Sequence, residues 1–310
     1  MLLNRLQTTL QVPVSFTGKG LHSGRMVKMT VEPAAADTGI VFKRTDNTSG
    51  IGVLARADQI SSTALSTAIG EGASAVSTIE HVMAAFAGLG IHNAEVSIDG
   101  PEVPIMDGSS ADFVRGFMKA GLKELDTPAR AYRLKRALTV VEGDKQLLIE
   151  PSLRQRVKCS IEFKTKVIGA QSLEYRSSLE NFLSIADART FCHLSDVQAM
   201  REKGLALGGG LDNAIVVTES GILNDSGLRA EDEFVRHKLL DLIGDFALLG
   251  APLLADVYAH KSGHALHAKA MKLLLAEKDF YLEEICPETA ELVDILPTLS
   301  LLPQFALHYA

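Results

Sequence analysis

In the stretch "MVKMTVEP" apolar and polar residues alternate, which places Val27, Met29 and Val31 on one face of a strand; "GIVFKR" follows after a polar turn as a second strand. The spacing then changes. "STIEHVMAAFAGLG" has the near-continuous apolar pattern of a buried helix, with Ser77 or Thr78 as its expected cap and Gly88 and Gly90 as its end. "NAEVSID" returns to alternation, and "DGSSADFVRGFMKAGL" predicts a capped helix closing the first half. "DTPAR", Asp126 to Arg130, breaks both periods and marks the boundary between a first domain, 1–126, and a second, 127–310.

The second half repeats the order. "ALTVVEGDKQLLIEP" predicts a hairpin turning near Gly143, and "RVKCSIEFK" alternates Val157, Cys159, Ile161 and Phe163 against polar partners. A helix from Glu233 ends at "LLG", and the apolar strand "PLLADVYAH" follows. Each half thus runs strands, an apolar helix with a His in its first turns, a glycine end and a strand; the second helix is longer by about one turn. This weak duplication predicts an α+β fold: two similar layered domains packed together, helices between the sheets, each domain with a small insert. His81 and His237, on matching helices, are then able to meet. Residues 189–217 have no counterpart and predict an inserted strand–helix–strand unit of the kind that carries function.

The helix "EFVRHKLLDLIGD" holds the sharpest chemical signal. His237, Asp241 and Asp245 recur every four residues and so stack on one face. Imidazole and carboxylate at that spacing suit zinc. On the pair alone, a solvated face with Arg236 and Lys238 accounts for it more readily. A catalytic zinc takes three protein ligands, and the duplication offers His81 as the third; a core histidine is the alternative. Glu80 precedes it, about 100° away on the helix, placed to serve as a general base rather than to chelate, or simply to favour the helix dipole. "KSGHALHAK" is basic, with His264 as a candidate proton donor at an anion site, whereas His267 and Lys269 read as a solvated helix face. "GLHSG", Gly20 to Gly24, is open in the same way: a turn on local evidence, with His22 near a site as the alternative. His92, His193, His260 and His308 read as surface or core histidines.

Composition limits the partners. The 310 residues are 46% hydrophobic and 22% charged, with a formal net charge of -7. That excess argues against nucleic acid and leaves small anions open. Cys159, Cys192 and Cys286 are too few and too scattered for a disulfide framework, which points to a reducing compartment. No signal-peptide pattern and no apolar run of spanning length occur, so a cytoplasmic protein is expected, and a monomer.

Together, "TIEHVMAAFAGLGIHNAEVSIDGPEVPIMDGSSADFV", "EDEFVRHKLLDLIGDFALLG", "GKGLHSG", "ARTF" and "KSGHAL" resemble the UDP-3-O-acyl-N-acetylglucosamine deacetylase family, zinc amidases of lipid A synthesis. The resemblance spans nearly the whole chain in order. It implies removal of an N-acetyl group to give acetate and a free amine. It implies Zn2+ held by His81, His237 and Asp241, with Glu80 as general base. It implies His264 as the protonated acid or electrostatic partner, oriented by Asp245, and Thr190 near the oxyanion. It implies substrate contacts at Phe191, Lys238 and Lys261, and an acyl-chain passage in the insert from Arg189. Cys192 and His193 stand where Gly and an aromatic are common, which bears on the passage lining. Two other classes stay open: another zinc hydrolase acting on a different sugar amide, and a metal-stabilised binding protein. A structural zinc needs no acid/base pair, so Glu80 and His264 speak against the last.

Overall fold

The computed structural model describes residues 3–48 and 50–286. The helices, in order, are α1 (Glu80–Leu89), α2 (Ala111–Ala120), α3 (Leu179–Leu183), α4 (Leu194–Glu202), α5 (Glu233–Phe246), α6 (His264–Ala276) and α7 (Lys278–Tyr281). They accompany two principal sheets, which gives a mixed α+β fold.

The two sheets share one wiring. In the first, the hairpin Val14–Lys19/Met26–Pro33 leads to Ile40–Arg44 and Gly52–Leu54. α1 follows, and Ala94–Ile98 then enters the centre, antiparallel to Met26–Pro33 and parallel to Ile40–Arg44. In the second, the hairpin Leu138–Glu142/Lys145–Pro151 leads to Gln155–Glu162 and Ala170–Arg176. α5 follows, and Leu253–His260 enters the centre, antiparallel to Lys145–Pro151 and parallel to Gln155–Glu162. Each helix ends with a left-handed glycine that turns the chain back toward its sheet: Gly90 at φ 68° and Gly250, one 3-10 turn beyond α5, at φ 83°. α1 has 10 residues and α5 has 14, about one turn more.

Two local expectations change. Neither Ser77 nor Thr78 caps α1; Ile79 is the capping residue, with no side-chain cap bond, and the Thr78 hydroxyl donates instead to Glu102 Oε1 at 3.0 Å. All ten α1 residues are buried, Glu80 and His81 included, so tertiary packing rather than a side-chain cap stabilises this helix. Likewise Ser110 gives α2 no cap bond and its hydroxyl donates to the carbonyl of His81 at 2.6 Å. "DTPAR" does not wholly lie in a linker, because Leu122–Pro128 is a strand antiparallel to Leu6–Leu10. A partner strand from the other end of the segment overrides the local break in pattern. His308 lies outside the described residues.

α1 and α5 pack directly on one another, and α5 also rests on Gln155–Glu162 and Ala170–Arg176. Their approach is set by Gly244. A Cβ there would overlap the carbonyl oxygen of Glu80 and lie 3.1 Å from the Ala84 nitrogen. One continuous core joins both sheets and both helices, with Phe42, Phe86, Phe117, Phe182, Phe234, Leu248 and Met271 among its members. The segment from 189 to 217 comprises Phe191–His193, α4 and Ile215–Val217, its two short strands pairing in parallel. Its start is anchored by a buried ion pair: Arg189 Nε donates to Glu233 Oε1 at 2.9 Å and Nη2 to Oε2 at 3.1 Å. The first residue of α5 thereby fixes the segment that follows Ala188. No helix of the described residues is long and apolar enough to cross a membrane.

Candidate active site

The close α1–α5 contact brings His81, His237 and Asp241 together. Their ligand-type atoms all lie within 4.8 Å of one another, and all three residues are buried. Asp241 Oδ1 is 3.5 Å from His81 Nε2 and 3.4 Å from His237 Nε2. The two rings stand at 82°, with centroids 5.0 Å apart, so both nitrogens converge rather than stack. His237 Nδ1 donates to the Ala188 carbonyl at 3.0 Å, which fixes the tautomer and leaves the Nε2 lone pair facing Asp241. Burial, opposed by Asp241, lowers the His237 pKa to about 3, so the ring is neutral and available as a ligand. Burial works against the Asp241 carboxylate, but the polar and cationic groups packed around it, the Lys238 ammonium among them, outweigh it and hold its pKa well below the usual range. Lys238 Nζ donates to Asp241 Oδ2 at 2.7 Å, so the other oxygen faces the imidazoles.

This donor set fits a zinc-type metal: two imidazole nitrogens and one carboxylate oxygen, with an outer carbonyl orienting one ring. Charge points the same way. Glu80, Asp241 and Asp245 put three carboxylates against the cations of Lys238 and His264 in a buried volume, an excess of negative charge that favours a bound cation.

Glu80 lies on the neighbouring side of α1, 3% exposed. Its Oε2 accepts the Thr67 backbone N–H at 3.0 Å, and its Oε1 sits 3.9 Å from His264 Nε2. Burial raises its pKa, against the lowering pull of His264 and His81. Burial alone would lower the His264 pKa; Asp245, with Glu80 and Asp241, reverses that and raises it to about 10. His264 Nδ1 bonds Asp245 Oδ2 at 2.8 Å, and the Thr67 hydroxyl donates to Asp245 Oδ1 at 2.6 Å. Despite its own burial, Asp245 is held well below the ordinary carboxylate range by His264 and His267.

Thr190 follows the ion-paired Arg189. Its backbone is fixed at both ends, donating to Gly108 O and accepting from Ile215 N, each at 2.8 Å. Phe191 packs edge-on against Phe234 at 4.9 Å and lies 6.2 Å from the His237 ring, with Lys238 Nζ 5.5 Å from its centroid. Lys238 and Lys261 line a cleft of about 530 Å³ together with Lys145, Lys164, Phe163 and Ser262. Lys261 is less free than its sequence suggests: it pairs with Asp144 at 2.9 Å and Glu162 at 2.7 Å. His81, His237, Asp241, Lys238, Glu80, His264 and Asp245 are thus joined by short contacts, Phe191 lies beside the His237 ring, and Lys261 stands on the wall of the cleft that Lys238 also lines.

His267 corrects the expectation of a solvated face. It is 1% exposed, its Nδ1 bonds Asp245 Oδ2 at 2.7 Å, and its Nε2 bonds the Ser262 hydroxyl at 2.9 Å. The available signal was helical spacing: His267 stands three, four and seven residues before Ala270, Met271 and Leu274, and so shares their buried face. Thr67 was not anticipated, and nothing in its short polar neighbourhood "STALSTA" marks it. His22 serves the turn: the backbone N–H groups of His22 and Ser23 donate to the buried Glu102, each at 2.8 Å, while Thr78 donates to the same carboxylate. Outside the site, the His260 ring bonds the Ser160 hydroxyl at 2.9 Å.

Comparisons with known proteins place the chain in one family. A family model described as "LpxC: UDP-3-O-acyl N-acetylglycosamine deacetylase" matches residues 7–276. The chain is 47% identical over 285 residues to a UDP-3-O-acyl-N-acetylglucosamine deacetylase of Geobacter sp. (strain M21), covering 91% of this chain and 93% of that one. It is 45% identical over 282 residues to the protein of that name from Myxococcus xanthus, covering 91% and 89%. Against its namesake from Pseudomonas entomophila it is 44% identical over 277 residues, covering 88% and 91%.

Proposed function

Because the chain belongs to the UDP-3-O-acyl N-acetylglycosamine deacetylase family, we propose that it removes the N-acetyl group of UDP-3-O-acyl-N-acetylglucosamine with the residues gathered around Asp241. The reaction belongs to lipid A biosynthesis and releases acetate and a free amine. The observation that carries the reading is the opposition of Glu80 and His264, 3.9 Å apart, beside the convergent His81, His237 and Asp241. A binding protein stabilised by a metal has no use for that acid/base pair.

His81, His237 and Asp241 are the residues to hold the metal, and zinc is the ion their donor set suits. When bound, such an ion supplies Lewis acidity at the amide carbonyl and makes water a usable nucleophile near neutral pH. Glu80 accepts the proton of the attacking water through Oε1, while the Thr67 N–H holds Oε2 in place. His264 enters the reaction as a cation. Its Nε2 faces the site, so its charge stabilises the developing oxyanion and its proton goes to the departing amine nitrogen. Asp245 keeps Nδ1 protonated and the ring fixed. The Thr190 hydroxyl is the candidate second donor to the oxyanion. Phe191 closes the apolar side toward Phe163 and Phe234, at the start of the insert assigned to the acyl chain. Lys145, Lys164, Lys238 and Lys261 outnumber Asp144 and Glu162 on the cleft wall, which gives it the sign that a nucleotide-sugar anion requires, in a chain of net negative charge.

The direct test is mass spectrometry of UDP-3-O-acyl-N-acetylglucosamine incubated with purified protein. Loss of the acetyl group, abolished by Asp241→Ala, is the expected result. An unchanged substrate with zinc-loaded protein would overturn the reading.

A further inference from the structure

Asp245 serves two imidazoles through one oxygen. Oδ2 accepts His264 Nδ1 at 2.8 Å and His267 Nδ1 at 2.7 Å, while Oδ1 accepts the Thr67 hydroxyl. His264 and His267 are three residues apart at the start of α6, so both rings reach the same carboxylate from one helix. The far nitrogen of His267 is not idle: its Nε2 bonds Ser262 Oγ at 2.9 Å. Ser262 belongs to the wall of the lysine-lined cleft. A chain of hydrogen bonds therefore runs Ser262–His267–Asp245–His264 and ends 3.9 Å from Glu80.

From this arrangement we infer that His267 is a positioning residue for the deacetylation: it pins the Asp245 carboxylate so that His264 presents Nε2 to the reacting amide. The inference rests on the function proposed above. Physically, a carboxylate held only by Thr67 and His264 retains a rotation about its Cβ–Cγ bond, and every rotation drags the His264 ring with it. A third donor, itself fixed at its far end by Ser262, removes that freedom. His267 touches neither Glu80 nor the convergent donors directly; its effect passes through Asp245. Packing is a separate role of the same ring, which lies 6.1 Å from Phe246 at 74°. The test has to separate the two.

His267→Phe keeps an aromatic ring and removes both hydrogen-bonding nitrogens. His267→Asn keeps a short N–H donor for Asp245 and loses most of the ring. In zinc-loaded protein, His267→Phe is expected to lower kcat about 10-fold or more with KM within about 2-fold, and His267→Asn to keep kcat within about 3-fold of the parent. Proton NMR of the same samples supplies a readout independent of turnover. The carboxylate-bound His264 N–H should give a downfield resonance that is sharp in the parent and in His267→Asn, and broadened or shifted in His267→Phe. Should His267→Phe fail to fold by circular dichroism, Ser262→Ala frees the far end of the ring and is expected to broaden the same resonance and lower kcat about 3-fold. Parent-like kcat together with an unchanged His264 resonance in the variant that folds overturns the inference. So does a loss of kcat with the resonance unchanged, which would make the ring merely structural. An inactive parent would instead overturn the proposed function, and the resonance would still decide whether His267 orders His264.

Discussion

Gly244 meets Glu80 backbone to backbone: any side chain at position 244 would overlap the Glu80 carbonyl oxygen. The contact sits one residue before Asp245 and three after Asp241 on α5, and one residue before His81 on α1. The separation of the two helices at this point therefore sets the distances among the candidate metal ligands. Gly244→Ala is expected to destabilise the protein by about 1–3 kcal/mol through overpacking and to weaken zinc binding as well. Denaturant unfolding and zinc titration of the same variant check the pair. Normal zinc affinity in a destabilised variant would uncouple the helix spacing from the site.

Chelation of zinc-loaded protein is expected to abolish deacetylation, and addition of zinc to restore it, while circular dichroism stays that of a folded chain. The reason is the size of the core, which joins both sheets without needing the metal. Full activity in a metal-free sample would rule out the mechanism.

The pH dependence follows from Glu80 and His264. Glu80 must be ionised to accept a proton, and burial raises its pKa, so kcat/KM rises with pH through that raised value. His264 must be protonated, and kcat/KM falls as pH passes its pKa, about 10 without substrate or metal. Glu80→Ala and His264→Ala should each lose roughly 10²–10⁴-fold in rate with zinc retained. Each should lose or shift its own limb of the bell. A variant with near-normal rate and bound zinc would remove that residue from the mechanism.

Stability should carry the opposite signature at the two carboxylates. A pKa raised on folding, as at Glu80, means that the folded state binds the proton more tightly, so ionisation near neutral pH costs stability. Glu80→Gln removes the charge and keeps an oxygen for the Thr67 N–H, and is expected to raise Tm at pH 7 while abolishing turnover. Asp245 is depressed and His264 is raised. Their pair contributes stability that is present above the unfolded Asp pKa of 3.8 and is lost as pH falls below it. The His264 share is complete below 6.5 and is lost as pH rises through about 10. Asp245→Asn should flatten Tm across that window; an unchanged profile would contradict the assignment.

Lys261→Ala is expected to raise KM for the nucleotide-sugar, more at low salt than at high salt. Asp144→Asn combined with Glu162→Gln should do the reverse, because those carboxylates occupy Lys261 in the free protein. Equal KM values at all salt concentrations would place the anion elsewhere.

Much of this was legible in the sequence, for physical reasons. Four-residue spacing on one helix guarantees that His237, Asp241 and Asp245 share a face, and repetition of strands, helix, glycine and strand brings His81 opposite them. The resemblance supplied roles, and among the positions it named His81, His237, Asp241, Glu80, His264 and Asp245 lie together. What escaped the pattern depends on distant contacts. Thr67 has no local signature, because its meaning comes from Asp245 and Glu80. The strand at Leu122–Pro128 exists because Leu6–Leu10 pairs with it, against the local signals of Pro and small polar residues. His267 reads as solvated beside Lys269, but its burial depends on Asp245, a partner on another helix.

The bond from Thr67 to Asp245 spans 178 residues of chain, and the contact from Thr67 to His264 spans 197. Loop closure of that span opposes folding and is offset only when both sheets and the α1–α5 contact are in place. The site therefore closes only in a chain that carries both halves. A chain cut after α1 holds Glu80 and His81 without Asp241, Asp245 or His264, and so lacks most of the groups that face one another here.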